Sequence, residues 1–326
     1  YFRQVRTSTF AVVDNRKVFY SVDPTTDSWV GPIDTSLDGN TSGGPGDTTY
    51  PFVSALAVND YLFVFKRDAA YNNSMAVKNS AELNAEREAQ SAAFRRAHPG
   101  HLDLRYGPRE RNTWDLFPAA SPNAPCFVFI HGGYWQRNSK DQFANLIAGI
   151  HARGWSAALP GYTLAPDASL TEIVAEIDTA LDWLGDNGAA HGIAGKAILS
   201  GWSAGGHLTA ACLGHRRIDA GLAVSGVFEL GPIRDTYLNE KLKLTDDEIA
   251  ALSPLRQPMI RKPLAITYGT NELPPLVGDS RALHAKRAAE HLPGALIPIA
   301  GADHFTIVTQ LPKPDSDLVH QILLLA

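Results

Sequence analysis

From Tyr71 onward, short apolar runs alternate with longer runs of helix-forming residues. The apolar runs are "CFVFI" (126–130), "SAAL" (156–159), "KAIL" (196–199), "GLAVSG" (221–226), "LAITYG" (264–269) and "ALIPI" (295–299). They are apolar at consecutive positions, not at every second one, as in strands buried on both faces. Helices are expected near 140–153, near 169–186, directly after Ser203, near 279–291 and at the C-terminus, with an irregular stretch over 231–255. Repeated strand–helix units of this kind predict an α/β fold, a mostly parallel sheet covered by helices on both faces. Ahead of them, "SAELNAEREAQSAAFRRAH" (80–98) has Leu83 and Phe94 as its only large apolar positions and predicts a largely solvent-facing helix. "LDLRYGPRERNTWDLFPA" (102–119) predicts a hairpin.

The first 68 residues differ in texture. Candidate strands "FAVV", "KVFYSVD" and "YLFVFKRD" are separated by turn-rich stretches, including the loop "DGNTSGGPGDTT". The region looks faintly like one blade of a kelch-type propeller, but one blade cannot close a ring and no second copy follows. An appended β-rich segment, residues 1–68, ahead of an α/β domain over 69–326, is the simpler expectation.

Composition narrows the partners. With 44% hydrophobic and 19% charged residues, the 326-residue chain has ample apolar material for a core. A net charge of -5, with no Lys/Arg-rich block, gives no reason to expect nucleic acid or an anionic membrane. A small neutral or amphiphilic molecule fits better, and a homodimer is compatible with the reading. Cys126 and Cys212 fit buried reduced thiols rather than a disulfide framework or a metal pair. No apolar run is long enough to cross a bilayer, and the start lacks signal-peptide architecture, which points to the cytoplasm. The chain does not begin with Met, so a removed leader stays open, and the sequons at Asn40 and Asn72 are read as chance matches.

One stretch carries chemistry. "SGWSAGGH" (200–207) places Ser203 between Gly201 and Gly205, after an apolar strand and before the helix-forming "HLTAACL". That is the setting of a nucleophile elbow, whose sharp turn requires small residues two before and two after the serine; the alternative is a glycine-rich turn without chemistry. An attacking serine creates an oxyanion, and "FIHGGYW" (129–135) supplies a glycine-rich turn for its donors, with Ala204 as the second source of an N–H. The base is expected after the last strand, where His304 sits in "IAGADHFTIV". His131 is read as a structural histidine of its loop, and His207, His284, His291 and His320 as packing or surface residues. Glu272 and Asp279 compete for the acid after "LAITYG", with Glu272 nearer the strand; Asp303 is read as ordering its own loop.

"HGGYW", "GWSAGGHL", "GTNELPP" and "GADHF" in this order resemble the α/β-hydrolase superfamily over Tyr71 to Ala326, and within it the kynurenine formamidase (arylformamidase) group. The aromatic pair after the two glycines discriminates, and "YNNSMAV" (71–77) resembles the start of that group's domain. The resemblance implies Ser203 as nucleophile, Glu272 as acid, His304 as base, and Gly133, Tyr134 and Ala204 around the oxyanion. Pro275 departs from it, because the group more often has an acidic residue there. Tyr134, Trp135, Trp202 and Phe305 flank the chemistry and are candidate contacts for an aryl group, with core packing as the alternative for each. The reading is a serine hydrolase, needing no metal or cofactor, that cleaves an aryl formamide such as N-formylkynurenine or, alternatively, small aryl or short-chain esters. A hydrolase-fold binding protein without turnover has no need of all three of Ser203, Glu272 and His304.

Overall fold

The computed structural model describes residues 68–326 in full and, before them, the backbone of the strands Arg3–Arg6, Thr9–Asp14, Lys17–Ser21, Trp29–Asp34, Phe52–Val58 and Tyr61–Lys66. The chain forms two compact units, one of Tyr1–Ala76 with Asp235–Tyr237, the other of Val77–Arg234 with Leu238–Ala326. In the first, Arg3–Arg6 pairs with Tyr61–Lys66 and that strand with Phe52–Val58, while Thr9–Asp14, Lys17–Ser21 and Trp29–Asp34 form a second sheet. All these pairs are antiparallel. Two three-stranded sheets differ from the four-stranded blade that the sequence faintly suggests, because the first strand pairs with the last instead of with its neighbour. The "DGNTSGGPGDTT" loop and the sequon at Asn40 lie outside the described residues.

The second unit is built on eight strands, numbered here within it: β1 His101–Arg105, β2 Thr113–Phe117, β3 Cys126–Ile130, β4 Ser156–Pro160, β5 Ala197–Trp202, β6 Ala220–Val224, β7 Leu264–Gly269 and β8 Leu296–Ile299. Their order across the sheet is β8-β7-β6-β5-β3-β4-β2-β1. β1 and β2 form the expected antiparallel hairpin, β2 pairs antiparallel with β4, and every other pair is parallel. Every residue of β3, β4, β5, β6 and β7 is buried, which is why their sequences run apolar without alternation. Its longer helices are α1 Ser80–Ala97, α2 Leu170–Asn187, α3 Ala204–Ala211, α4 Asp246–Leu252, α5 Pro274–Ala289 and α6 Asp317–Leu323.

On one face Phe127 and Phe129 pack with Phe143, Ile147, Leu318 and Ile322. Val128 and Ile130, one residue out of phase, point to the opposite face. The chain runs from β3 to β4 on one side and returns to β5 on the other, so the sheet's switch in direction lies between β3 and β5. In open parallel sheets the crevice beyond the strands' carboxyl ends at this switch is where ligands bind.

α1 is exposed over much of its surface as expected, yet its inner stripe of Ser80, Arg87, Ser91 and Phe94 is mostly polar. The partners are equally polar. Ser91 Oγ donates to Asn145 Oδ1 at 2.8 Å and accepts from the Asn145 N–H at 3.1 Å, and Arg95 Nε meets Asp115 Oδ2 at 2.9 Å. The Asp115 side chain is completely buried and also receives Lys140 Nζ at 2.6 Å. Removing either cation would leave this buried carboxylate with only one cationic partner, so the cluster locks α1 and the Lys140–Ile147 turn onto β2. Among the described residues no helix is long and apolar enough to cross a membrane.

Candidate active site

Parallel register brings the chemistry to one edge. Gly201 on β5 pairs with Ile130 on β3, Trp202 with Val224 on β6, Val224 with Thr267 on β7, and Gly269 with Ile299 on β8. His131, Ser203, Ser225, Glu272 and His304 all follow the carboxyl ends of their strands within a few residues.

β5 ends at Trp202, Ser203 follows at φ 60° and ψ -117°, and α3 begins at Ala204. A non-glycine residue in this region stores about 1–3 kcal/mol of backbone strain. The turn survives because its flanks are tied down: the Ser203 N–H donates to Val224 O at 2.8 Å, and Ser203 O accepts from the His207 N–H at 3.1 Å. Both glycines of the motif are sterically required. A Cβ on Gly201 would reach 2.8 Å from Ile130 O, and one on Gly205 would reach 2.8 Å from the Ile130 carbonyl carbon.

His304 Nδ1 lies 3.1 Å from Glu272 Oε2, with the Glu272 side chain wholly buried and that of His304 nearly so. The other carboxylate oxygen accepts the Gly269 N–H at 2.8 Å and a short bond from Ser225 Oγ. Ser225, at φ 50° after β6, was not singled out by the sequence; its place at the carboxyl end of a parallel strand was the available signal. Asp279, the rival acid, points elsewhere. Its Oδ2 accepts the N–H groups of Phe228 and Glu229 at 2.7 and 3.0 Å, and burial pushes its carboxyl up to about 7. Asp303 Oδ1 accepts the N–H groups of Phe305 and Thr306 at 2.9 and 2.8 Å, so it orders the turn that carries His304. Pro275 sits in the first turn of α5, where a missing N–H costs nothing.

The loop after β3 has positive φ at three successive positions, freely adopted by Gly133 (φ 123°) and strained at Tyr134 (φ 51°) and Trp135 (φ 57°). Its carbonyls are occupied: Gly132 O accepts from Asn138 Nδ2 at 3.0 Å, Gly133 O from the Gln136 N–H at 3.0 Å, and Trp135 O from the Ala165 N–H at 2.8 Å. Among the described residues, the N–H groups of Gly133 and Ala204 have no protein acceptor. The loop passes close to the elbow, since a Cβ on Gly132 would stand 3.0 Å from Ser203 Cβ. His131 stacks on Tyr162 with ring centroids 4.3 Å apart, its Nδ1 faces Gly132 O at 2.9 Å, and burial pushes it down to about 3. It is a neutral packing histidine. His207 Nε2 likewise faces Leu252 O at 2.8 Å, and burial pushes it down to about 4. His284 is half-buried, and His291 and His320 are exposed.

The four flanking aromatics differ in setting. Trp135 is fully buried and edge-on to His207, with ring centroids 5.0 Å apart. Trp202 is buried with its indole N–H on His304 O at 2.9 Å. Tyr134 and Phe305 are each nearly buried, and Phe305 stands perpendicular to the His304 ring.

Comparison with known proteins agrees with this geometry. The BD-FAE family model matches residues 115–223. A kynurenine formamidase of Danio rerio is 27% identical over 227 residues, 64% of this chain and 76% of its own length. A crystal structure from Silicibacter sp. TM1040, provisionally assigned as a thioesterase, superposes with a TM-score of 0.71 at 30% identity, over 78% of this chain and 98% of that one. Esterase B of Lactobacillus rhamnosis shares the fold at 19% identity, with a TM-score of 0.60 over 77% of this chain and 93% of its own. Sheet order, elbow and relatives agree, and the chain belongs to the α/β-hydrolase superfamily, as a hydrolase close to the kynurenine formamidases.

Proposed function

We propose that the protein is a serine hydrolase that cleaves an aryl formamide of the N-formylkynurenine kind through an acyl-enzyme. The observation that carries the reading is the buried pairing of His304 Nδ1 with Glu272 at the same sheet edge as the strained Ser203. With Nδ1–H directed at Glu272, the free Nε2 takes the Ser203 Oγ proton as Oγ bonds to the formyl carbon. The oxyanion that forms is held by N–H groups of Gly133, Tyr134 and Ala204, preorganised by a loop whose carbonyls are already engaged. Collapse breaks the C–N bond, and His304 returns the proton to the leaving aryl amine. Water then attacks the formyl-enzyme with His304 as base, and formate leaves. Formamide cleavage places the greater demand on His304, because an aryl amine leaves only once protonated.

The relation to the Danio rerio formamidase supports the formamide, and the Silicibacter protein, provisionally assigned as a thioesterase, keeps ester cleavage as the second reading. Cys126 and Cys212 are buried free thiols, with Cys126 pushed up to about 12 by burial, which suits a reducing cytoplasm. Hydrolysis of N-formylkynurenine, phenyl acetate and an anilide of a longer acid should be compared by kcat/KM. The formamide is expected to lead. Turnover of the esters alone would move the assignment to the second reading, and no Ser203-dependent turnover of any of them would remove the serine-hydrolase reading.

A further inference from the structure

Glu272 holds the imidazole of His304 at one nitrogen, which fixes its tautomer but not the loop that delivers it. The second anchor comes from the residue next to the nucleophile. Trp202 is the last residue of β5, its indole N–H donates to the His304 carbonyl at 2.9 Å, and its ring lies 4.9 Å from the imidazole and 5.8 Å from Phe305. The indole is itself braced. The Arg87 guanidinium carbon, on α1, lies 5.5 Å from the Trp202 ring and 4.2 Å from the Phe143 ring. Arg87 is fixed in turn by Nε on Gln142 O at 3.2 Å and Nη1 on Asn84 Oδ1 at 2.9 Å.

We propose that Trp202 is a positioning residue, coupling the backbone of the His304 loop to the strand that ends in Ser203, with Arg87 bracing the indole. The proposal rests on the serine-hydrolase reading above and replaces, for Trp202, the expectation of a substrate contact. Its physical basis is direct. Nucleophile and base arrive on loops after different strands, and errors of about 1 Å in their approach cost about a hundredfold in rate. An N–H donor covalently adjacent to Ser203 makes the base follow the nucleophile. A substrate wall would not direct its only polar atom at a protein carbonyl.

Trp202→Phe keeps an aromatic ring and removes the donor. It should lower kcat about 10- to 100-fold with KM within about twofold, by the same factor for substrates of different acyl size. The rate of Ser203 labelling by a fluorophosphonate should fall in parallel. Arg87→Met should lower kcat less, and its effect should vanish in the Trp202→Phe background, because it acts through the indole. If Trp202→Phe fails to fold, benzothienylalanine at 202, which exchanges N–H for sulfur at nearly the same shape, serves in its place. An unchanged kcat, or a KM that rises with acyl size at constant kcat, overturns the proposal. Labelling of the parent protein, lost in Ser203→Ala, tests the underlying reading separately. A labelled parent with a fully active Trp202→Phe removes the positioning role alone, whereas an unlabelled parent removes both.

Discussion

Replacing Glu272 by Gln preserves the side chain's shape, and its surroundings dictate how the amide must sit. In the parent, one oxygen accepts the Gly269 N–H at 2.8 Å together with the Ser225 hydroxyl, and the other faces His304 Nδ1 at 3.1 Å. If the Gln oxygen keeps the first two donors, its NH2 faces Nδ1. Nδ1 must then accept, the ring proton moves to Nε2, and His304 can no longer take a proton from Ser203. The flipped amide sets NH2 against the Gly269 N–H in a site without solvent, at a cost of about 1–3 kcal/mol. The unproductive tautomer therefore dominates. The forming imidazolium also loses a charged partner, about 1.5–3 kcal/mol for such a bond. Together these give about 2.5–6 kcal/mol, or about two to four powers of ten in kcat.

The measurement is steady-state kcat and KM on the best substrate, with circular dichroism and a thermal melt to show that the fold is kept. Asp303→Asn made in parallel should change kcat only a few-fold, because an Asn oxygen can still accept the Phe305 and Thr306 N–H groups. A crippling Asp303→Asn beside a nearly silent Glu272→Gln would refute the reasoning and assign the acid elsewhere.

Ser203→Ala should drop turnover by about five to six powers of ten while the protein still melts cooperatively; near-full activity would remove the elbow assignment. Ser203→Gly should melt higher than Ser203→Ala, by about 1 kcal/mol in stability, because glycine relieves the φ of 60°; equal melting points would mean that the turn is unstrained. Gly205→Ala should lose about 3 kcal/mol or more, or fail to fold, since its Cβ has no room against Ile130; a normal melt would contradict the packing described. Below pH 6.5 stability in urea should fall, because His131 and His207, held down to about 3 and 4, are neutral in the fold while the unfolded chain takes up their protons. Asp279 opposes this, since its carboxyl, raised from 3.8 to about 7, binds a proton in the fold that the unfolded chain has released. Its contribution is complete below about 4 and lost as the pH rises to 7. Asp279→Asn should therefore steepen the acid-side loss by one proton, about 1.4 kcal/mol per pH unit, and an unchanged slope would mean that Asp279 titrates normally.

The parallel strands were legible because burial on both faces leaves an uninterrupted apolar run: "CFVFI" is β3, residue for residue, and "LAITYG" is β7. The helix expected near 279–291 begins instead at Pro274. Two prolines read as a loop, yet the first turn of a helix is where proline is tolerated. The helix expected near 140–153 is a 3-10 stretch, Lys140–Ile147, followed by a short α-helix, although the Ser139–Gln142 capping box at its start is written in the chain. The polar inner stripe of α1 was invisible for a different reason. Ser91 has no periodic signal of burial, because its partner Asn145 stands 54 residues away.

The same distinction runs through the site. Parallel strands deliver their following residues to one edge, so a motif's place on that edge can be read from the strand before it, and this is how Ser203, Glu272 and His304 become candidates in the sequence. Hydrogen-bond partners are set by register between strands, which a single sequence does not print. Glu272 and Asp279 both follow β7, and spacing favours Glu272 only as the nearer of the two. Here the neighbouring strand separates them, because β6 is followed directly by Ser225, whose hydroxyl meets Glu272, while Phe228 and Glu229, three and four residues further on, present their N–H groups to Asp279. The Trp202 indole likewise finds a carbonyl 102 residues away. A glycine-framed serine announces itself locally, but the groups that would make it reactive are recruited across the sheet, and for that reason substitutions at Ser225, Trp202 and Arg87 test the site as directly as those at the motif.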